Sequence, residues 1–197
     1  MAQSTHYMDY DVMKEKPNWD SHTQTIVSSR LLRESEHPFL TLEEAELLRS
    51  ICTLLVDDTR GDIIQNVIDH IDDTLFRSIG EGQRKAGVPD ERSLVRLGLK
   101  SIEDYTLATY ANHFYALEEN VQLQYMADWS EGGTETGTFW SVPPKALFLK
   151  LLSLTVEAYY SHPQIWSEIG YGGPAYPRGY VRTAIGQTDP WEAVRMK

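Results

Sequence analysis

Six histidines, His6, His22, His37, His70, His113 and His162, are the first candidates for chemistry. A helical metal site needs two of them four residues apart, or a cluster of thiolates beside them. Neither arrangement occurs, and His70 beside Asp69 reads as a surface pair. The densest acidic turn, Asp57-Asp58-Thr59-Arg60-Gly61-Asp62, has three carboxylates that could hold calcium. It lacks the alternating oxygen ligands and terminal glutamate of an EF-hand, and Arg60 opposes a cation. It reads as a helix C-terminus with Asp62 as the next N-cap. Gly80-Glu81-Gly82-Gln83 is similar to a piece of a phosphate-binding loop. It follows a helical pattern rather than a strand and lacks the third glycine. No Gly-x-Ser-x-Gly elbow is present, and no Ser/His/Asp set can be placed. Cys52, the one cysteine, sits in the apolar helical run Ser50–Leu55 and reads as a small buried residue. These residues give no catalytic set, no metal set and no cofactor cradle.

The composition narrows the partners. The chain has 197 residues, 41% hydrophobic and 24% charged, with a net charge of -11. That suits a globular chain with a substantial core. The acidic balance opposes nucleic acid and anionic membranes. No apolar run is long enough to span a membrane, and the polar start holds no secretory signal.

The elements that would position any site are helices. Residues 1–38 mix Tyr7, Tyr10, Trp19 and Ile26 with polar residues and show no sustained period, so they read as an extended arm whose aromatics dock onto something. Thr41-Leu42-Glu43-Glu44 is a capping box, followed by Leu47, Leu48, Ile51, Leu54 and Leu55 at helical spacing. A second helix carries Ile64, Val67, Ile68, Ile71 and Leu75. A third starts near Asp90, with Leu94, Leu97, Ile102 and Tyr105 on its buried side. A shorter one covers Leu117 to Trp129, before a flexible loop, Ser130 to Gly137. The last strong helix runs from about Pro143 to Tyr160, and His162-Pro163 ends it or starts a new short turn. Strands alternating with helices are not seen, so a nucleotide-binding α/β sheet is not expected. The expected fold is all-α: a single helical domain of five to six helices over 39–192, with an extended N-terminal arm and an irregular C-terminal arm.

That C-terminal arm differs in kind from the rest. Residues 161–192 interleave Trp166, Tyr171, Tyr176, Arg178, Tyr180 and Trp191 with Gly172, Gly173, Pro174, Pro177 and Gly179. Glycine opens backbone angles closed to other residues, and proline prevents a helix. Rings spaced this way cannot all bury against their own helix. They either fold back over the chain's own helices or anchor a partner, Tyr, Trp and Arg being the usual interface anchors; both can hold for different rings. The six residues just named form the candidate partner interface.

The same stretches carry a resemblance. Tyr159-Tyr160-Ser161-His162-Pro163, Trp166 with Glu168-Ile169-Gly170-Tyr171-Gly172-Gly173-Pro174, Tyr176-Pro177-Arg178-Gly179-Tyr180 and Asp189-Pro190-Trp191 resemble the gluconate 2-dehydrogenase subunit 3 family. Upstream, Phe39-Leu40-Thr41 with Glu43-Glu44-Ala45, and Gly80-Glu81-Gly82-Gln83-Arg84 with Ala86-Gly87-Val88-Pro89, are similar to its opening helix and middle loop. The resemblance implies a helical, non-catalytic small subunit that supports a large flavoprotein. That partner would be a glucose-methanol-choline type dehydrogenase acting on sugars or sugar acids. It implies no cofactor in this chain, FAD in the partner subunit, and in some complexes a cytochrome c subunit as electron acceptor. Family members often begin with a twin-arginine export signal. Here no paired arginines precede an apolar run, so the expected location is cytoplasmic, the alternative being export through a partner's signal. The opposite expectation, from the fold-back reading of the tail, is a free-standing helical binding or structural protein.

Overall fold

The computed structural model describes residues 5–31, 37–78, 85–133, 137–182 and 184–194. Among them are seven α-helices and no strand: α1 (Ser21–Ser29), α2 (Leu42–Val56), α3 (Gly61–Arg77), α4 (Glu91–Tyr110), α5 (Glu119–Glu131), α6 (Pro144–Tyr159) and α7 (Pro163–Ile169). Three 3-10 turns, Val12–Asn18, Phe114–Ala116 and Gly137–Phe139, complete the set. The fold is all-α as expected, with more helices than five to six. The surplus comes from α1, inside the stretch read as an extended arm, and from α7, which His162-Pro163 opens. The glycine-containing stretch 80–84 and part of the 130–137 loop lie outside the described residues. The chain forms two compact units, Ser35–Ala158, and Met1–Glu34 with Tyr159–Lys197.

In the unit Ser35–Ala158 the helices begin where short polar side chains can cap them. Thr41 accepts from the Glu44 amide at 3.1 Å while the Glu44 carboxylate accepts from the Thr41 amide at 2.9 Å, a complete capping box. Asp90 caps α4 through the Ser93 amide at 3.0 Å. The α2–α3 corner departs from the sequence reading. Asp57 adopts the left-handed conformation and ends α2, so the chain turns back early and α3 starts at Gly61 with Arg60, not Asp62, at its N-cap position. Asp58 is engaged locally, accepting from the Arg60 amide at 2.9 Å and its guanidinium at 2.6 Å.

The core follows the helical periods. Ile64, Val67, Ile68, Ile71 and Leu75 are all buried on α3, as are Leu47, Leu48 and Ile51 on α2. Leu97 is the exception on α4: it stays 40% exposed, and Val95 and Leu99 join Leu94 and Ile102 in the core instead. Gly98 sits where a Cβ would collide with the buried Leu147 side chain of α6, so a glycine permits the close approach of these two helices. Asp72 of α3 is 1% exposed, and its carboxylate accepts from the amides of Phe39 and Leu40 at 3.2 and 2.7 Å. It fixes the segment leading into α2 by satisfying two amides that lie outside any helix.

Cys52 is fully buried, with its sulfur 3.2 Å from the Thr155 hydroxyl, and burial pushes its thiol up to about 12. A thiolate is the reactive form. Native protein at neutral pH is therefore expected to resist a thiol-labelling reagent, with labelling appearing only in denaturant; rapid labelling of the folded chain would contradict the burial.

Candidate partner interface

The tail is assembled with the N-terminal segment, and both belong to the second unit. Asp20 starts α1 by accepting from the His22 and Thr23 amides at 3.0 and 3.2 Å. His162 caps α7 through its ring Nδ1, which accepts from the Gln164 amide at 3.2 Å, and Pro163 occupies the first helical turn. These short helices bury a small core of Val12, Trp19, Val27 and Trp166, with Tyr10 and Met13 packed against it.

Among the described residues, polar contacts join the segments across a large sequence separation. The Thr5 hydroxyl donates to the Glu168 carbonyl at 2.6 Å, and the Val12 amide to the Ser167 hydroxyl at 3.1 Å. The Tyr10 hydroxyl donates to the Trp191 carbonyl at 2.8 Å, and Arg30 to the Ser161 carbonyl at 2.9 Å. The Arg178 guanidinium pairs with Glu15 at 2.8 Å. Gly173 has φ +75, and a Cβ on it would stand 2.7 Å from the Trp19 ring, so only glycine lets the tail cross this tryptophan.

Within this arrangement the six candidate residues divide. Trp166 is 6% exposed; its indole N–H donates to the Tyr160 carbonyl at 2.5 Å and its ring meets Tyr171 edge-on at 5.3 Å. Arg178 is engaged internally. Besides Glu15 it donates to the carbonyls of Gly172 and Pro174, both at 3.0 Å, and its guanidinium lies 4.4 Å from the centroid of the Trp191 ring. Trp191 is half-buried under that cation. The remaining three are the more exposed: Tyr176 at 70% and Tyr180 at 64%, with Tyr171 at 40% and its ring resting edge-on against Trp166. Arg182 lies over the Tyr180 ring at 5.3 Å. Arg178, Trp166 and Trp191 thus hold the scaffold, and the three tyrosines form its outer edge.

Of the N-terminal contributors, Tyr10 and Trp19 belong to the arm's aromatics expected to dock, whereas Glu15 carries no signal in the sequence. The tail's base is closed by Asp189, a buried carboxylate that accepts from the Val181 and Arg182 amides at 2.7 and 2.8 Å. Burial pushes the Tyr10 hydroxyl from its ordinary 10.0 up to about 12, with Glu15 adding to the rise. The folded state holds this proton more tightly than the unfolded one. The stability it contributes is therefore complete below about pH 10 and lost as pH rises towards about 12. Tryptophan fluorescence across that window should show this unit loosening, and Tyr10→Phe should flatten the transition; an unchanged alkaline transition would count against the assignment.

Among the described residues no group of three or more His, Cys, Asp or Glu side chains could hold a metal ion, and no helix is long and apolar enough to cross a membrane. The family model for gluconate 2-dehydrogenase subunit 3 matches residues 42–173. The chain belongs to that family. Membership in the gluconate 2-dehydrogenase subunit 3 family gives it the role of an accessory subunit in a multi-subunit complex. The matched stretch runs from α2 to the Gly173 crossing and includes Trp166 and Tyr171, while Tyr176, Arg178, Tyr180 and Trp191 follow it. No curated protein and no solved structure matches the chain significantly.

Proposed function

We propose that this chain is the non-catalytic small subunit that binds and stabilises a FAD-dependent, glucose-methanol-choline type dehydrogenase of sugars or sugar acids. The observation that carries the reading is the outer edge of Tyr171, Tyr176 and Tyr180, held out on a scaffold that Arg178 ties together from inside. Large rings kept in water on a pre-organised backbone are anchors awaiting a surface. FAD belongs to the partner in this reading. The described residues form helices and turns, whereas a dinucleotide pyrophosphate is ordinarily cradled by a strand leading into a helix N-terminus. A cytochrome c subunit would contact the flavoprotein and receive its electrons.

A permanent complex of this kind buries on the order of 2,000 Å² or more. Co-expression with the flavoprotein subunit, followed by size-exclusion chromatography and dye-linked turnover, tests the proposal. The two chains should co-elute, and the flavoprotein should keep its activity longer in the complex. The double variant Tyr176→Ala/Tyr180→Ala should weaken association by about 2 kcal/mol or more, roughly 30-fold, without unfolding either unit. Separate elution with unchanged flavoprotein stability would leave the free-standing helical protein as the better description.

A further inference from the structure

A second surface, in the unit Ser35–Ala158, has the chemistry of a binding pocket. Arg92 and Arg96 lie four residues apart on α4 and therefore on one face. Both guanidiniums are stacked on the ring of Phe39, 5.1 and 4.4 Å from its centroid. Phe39 is itself a rigid platform. Asp72 holds its amide, and Arg96 donates to its carbonyl at 2.5 Å. Beside the ring is an open depression of about 310 Å³ lined by Phe39, Arg92, Ser93, Arg96 and Leu97. Leu97 supplies an apolar wall, which accounts for the one leucine of α4 that stays out of the core where the helical period expects it in.

The charges in this depression are unusual for so acidic a chain. Arg49, Arg60, Arg77, Arg96, Arg178 and Arg182 each have a carboxylate of this chain within 4 Å. Arg92 meets none among the described residues, and its guanidinium lies over the Phe39 ring. Two like charges gathered on one ring repel, and an anion between them would reverse the sign of that interaction. Glu44 lies 3.6 Å from Arg96 and cancels part of the positive charge. What remains is close to one positive charge, which suits a monoanion better than a doubly charged phosphate. The guanidinium fork matches a carboxylate in two parallel hydrogen bonds. The volume suits a small ligand, and the Phe39–Leu97 wall suits a carbon skeleton beside the acid.

We propose that Phe39, Arg92, Ser93, Arg96 and Leu97 form a pocket for a monocarboxylate attached to a small carbon skeleton. Arg92 supplies the free charge, Ser93 offers a hydroxyl, and Arg96 is the positioning residue that fixes the ring. The inference does not depend on the dehydrogenase partner. It is tested on the full chain by amide and arginine side-chain NMR during titration with propionate, gluconate, N-acetylglutamate amide and inorganic phosphate. Saturable shifts confined to Ser93, Leu97 and the two arginine side chains are expected with the carboxylates, together with weaker binding of phosphate. Gluconate binding tighter than N-acetylglutamate amide would assign a free hydroxy acid as the ligand; the reverse order would assign an acidic side chain of a neighbouring polypeptide. Arg92→Gln, at an exposed position with no hydrogen bond to lose, should weaken the carboxylates at least tenfold while every other resonance stays in place. The proposal is overturned by non-saturable shifts, by phosphate binding more tightly than the carboxylates, or by Arg92→Gln binding as the wild type does.

Discussion

Replacing Trp19 with alanine is expected to dismantle the unit formed by residues 1–34 and 159–197 while leaving the helices α2 to α5 protected. Trp19 is almost fully buried and sits at the centre of the small core with Val12, Val27 and Trp166. Its indole nitrogen is buried without a hydrogen-bond partner, so the loss is one of packing rather than of a polar contact. Truncating a buried tryptophan costs roughly 3–5 kcal/mol, and a core of four residues has little else to offset it. Gly173 crosses Trp19 at close range, so the cavity would open under the point where the tail leaves α7. Hydrogen exchange is the direct measurement. Amides that hold the unit together, Tyr171 to the Trp166 carbonyl at 2.8 Å and Val181 to Asp189, should exchange near the rate of an open chain. Trp19→Phe should retain most of the protection. Full protection in Trp19→Ala would show that the tail holds itself, and the N-terminal segment would then be an ornament. If the tyrosine edge rests on this scaffold as proposed, the alanine variant should also lose the proposed partner while leaving Tyr171, Tyr176 and Tyr180 in the sequence.

The second large effect is expected at Asp72. Its carboxylate accepts from both the Phe39 and Leu40 amides, and all three residues are buried. Asp72→Ala leaves two buried donors unsatisfied at about 1–3 kcal/mol each, so a loss of roughly 2–5 kcal/mol is expected in urea unfolding. Asp72→Asn keeps one acceptor oxygen and should fall between the wild type and alanine. The order wild type, asparagine, alanine is the diagnostic result; equal midpoints for all three would mean that water satisfies these amides. The same variant carries a second readout, since Phe39 is the platform under Arg92 and Arg96. A shifted Phe39 should weaken any ligand in that depression in proportion to the lost stability.

What the sequence made legible was local. The Thr41–Glu44 capping box, the helix start near Asp90 and the α3 stripe from Ile64 to Leu75 each depend on residues within a few positions of one another, and each is present in the fold. The α2–α3 corner was misjudged because the left-handed turn at Asp57, which no residue type there demands, moved the start of α3 to Gly61. Leu97 was assigned to the core because its spacing fits, yet helical period alone cannot say how wide a buried stripe is. α1 escaped notice because it buries only Val27 and has too weak an apolar face to register. The candidate interface was legible as composition and not as arrangement. Rings, glycines and prolines announced an irregular tail, but Arg178 meets Glu15 at a separation of 163 positions and Tyr10 meets Trp191 at 181. No pattern within a window of the chain encodes contacts of that kind, so scaffold and edge residues could not be told apart.

Those separations also set a timetable. A ribosome adds about 5–20 residues per second, so Tyr10 and Glu15 leave it on the order of ten to forty seconds before Trp191 and Arg178 are made. The unit Ser35–Ala158 has all its residues during that interval and can fold as it emerges. Val12 and Trp19, by contrast, must wait in water for Trp166 and Gly173, and closing so long a loop is slow. Residues made early are therefore among the last to find their place, because the tail they pack against is made so much later.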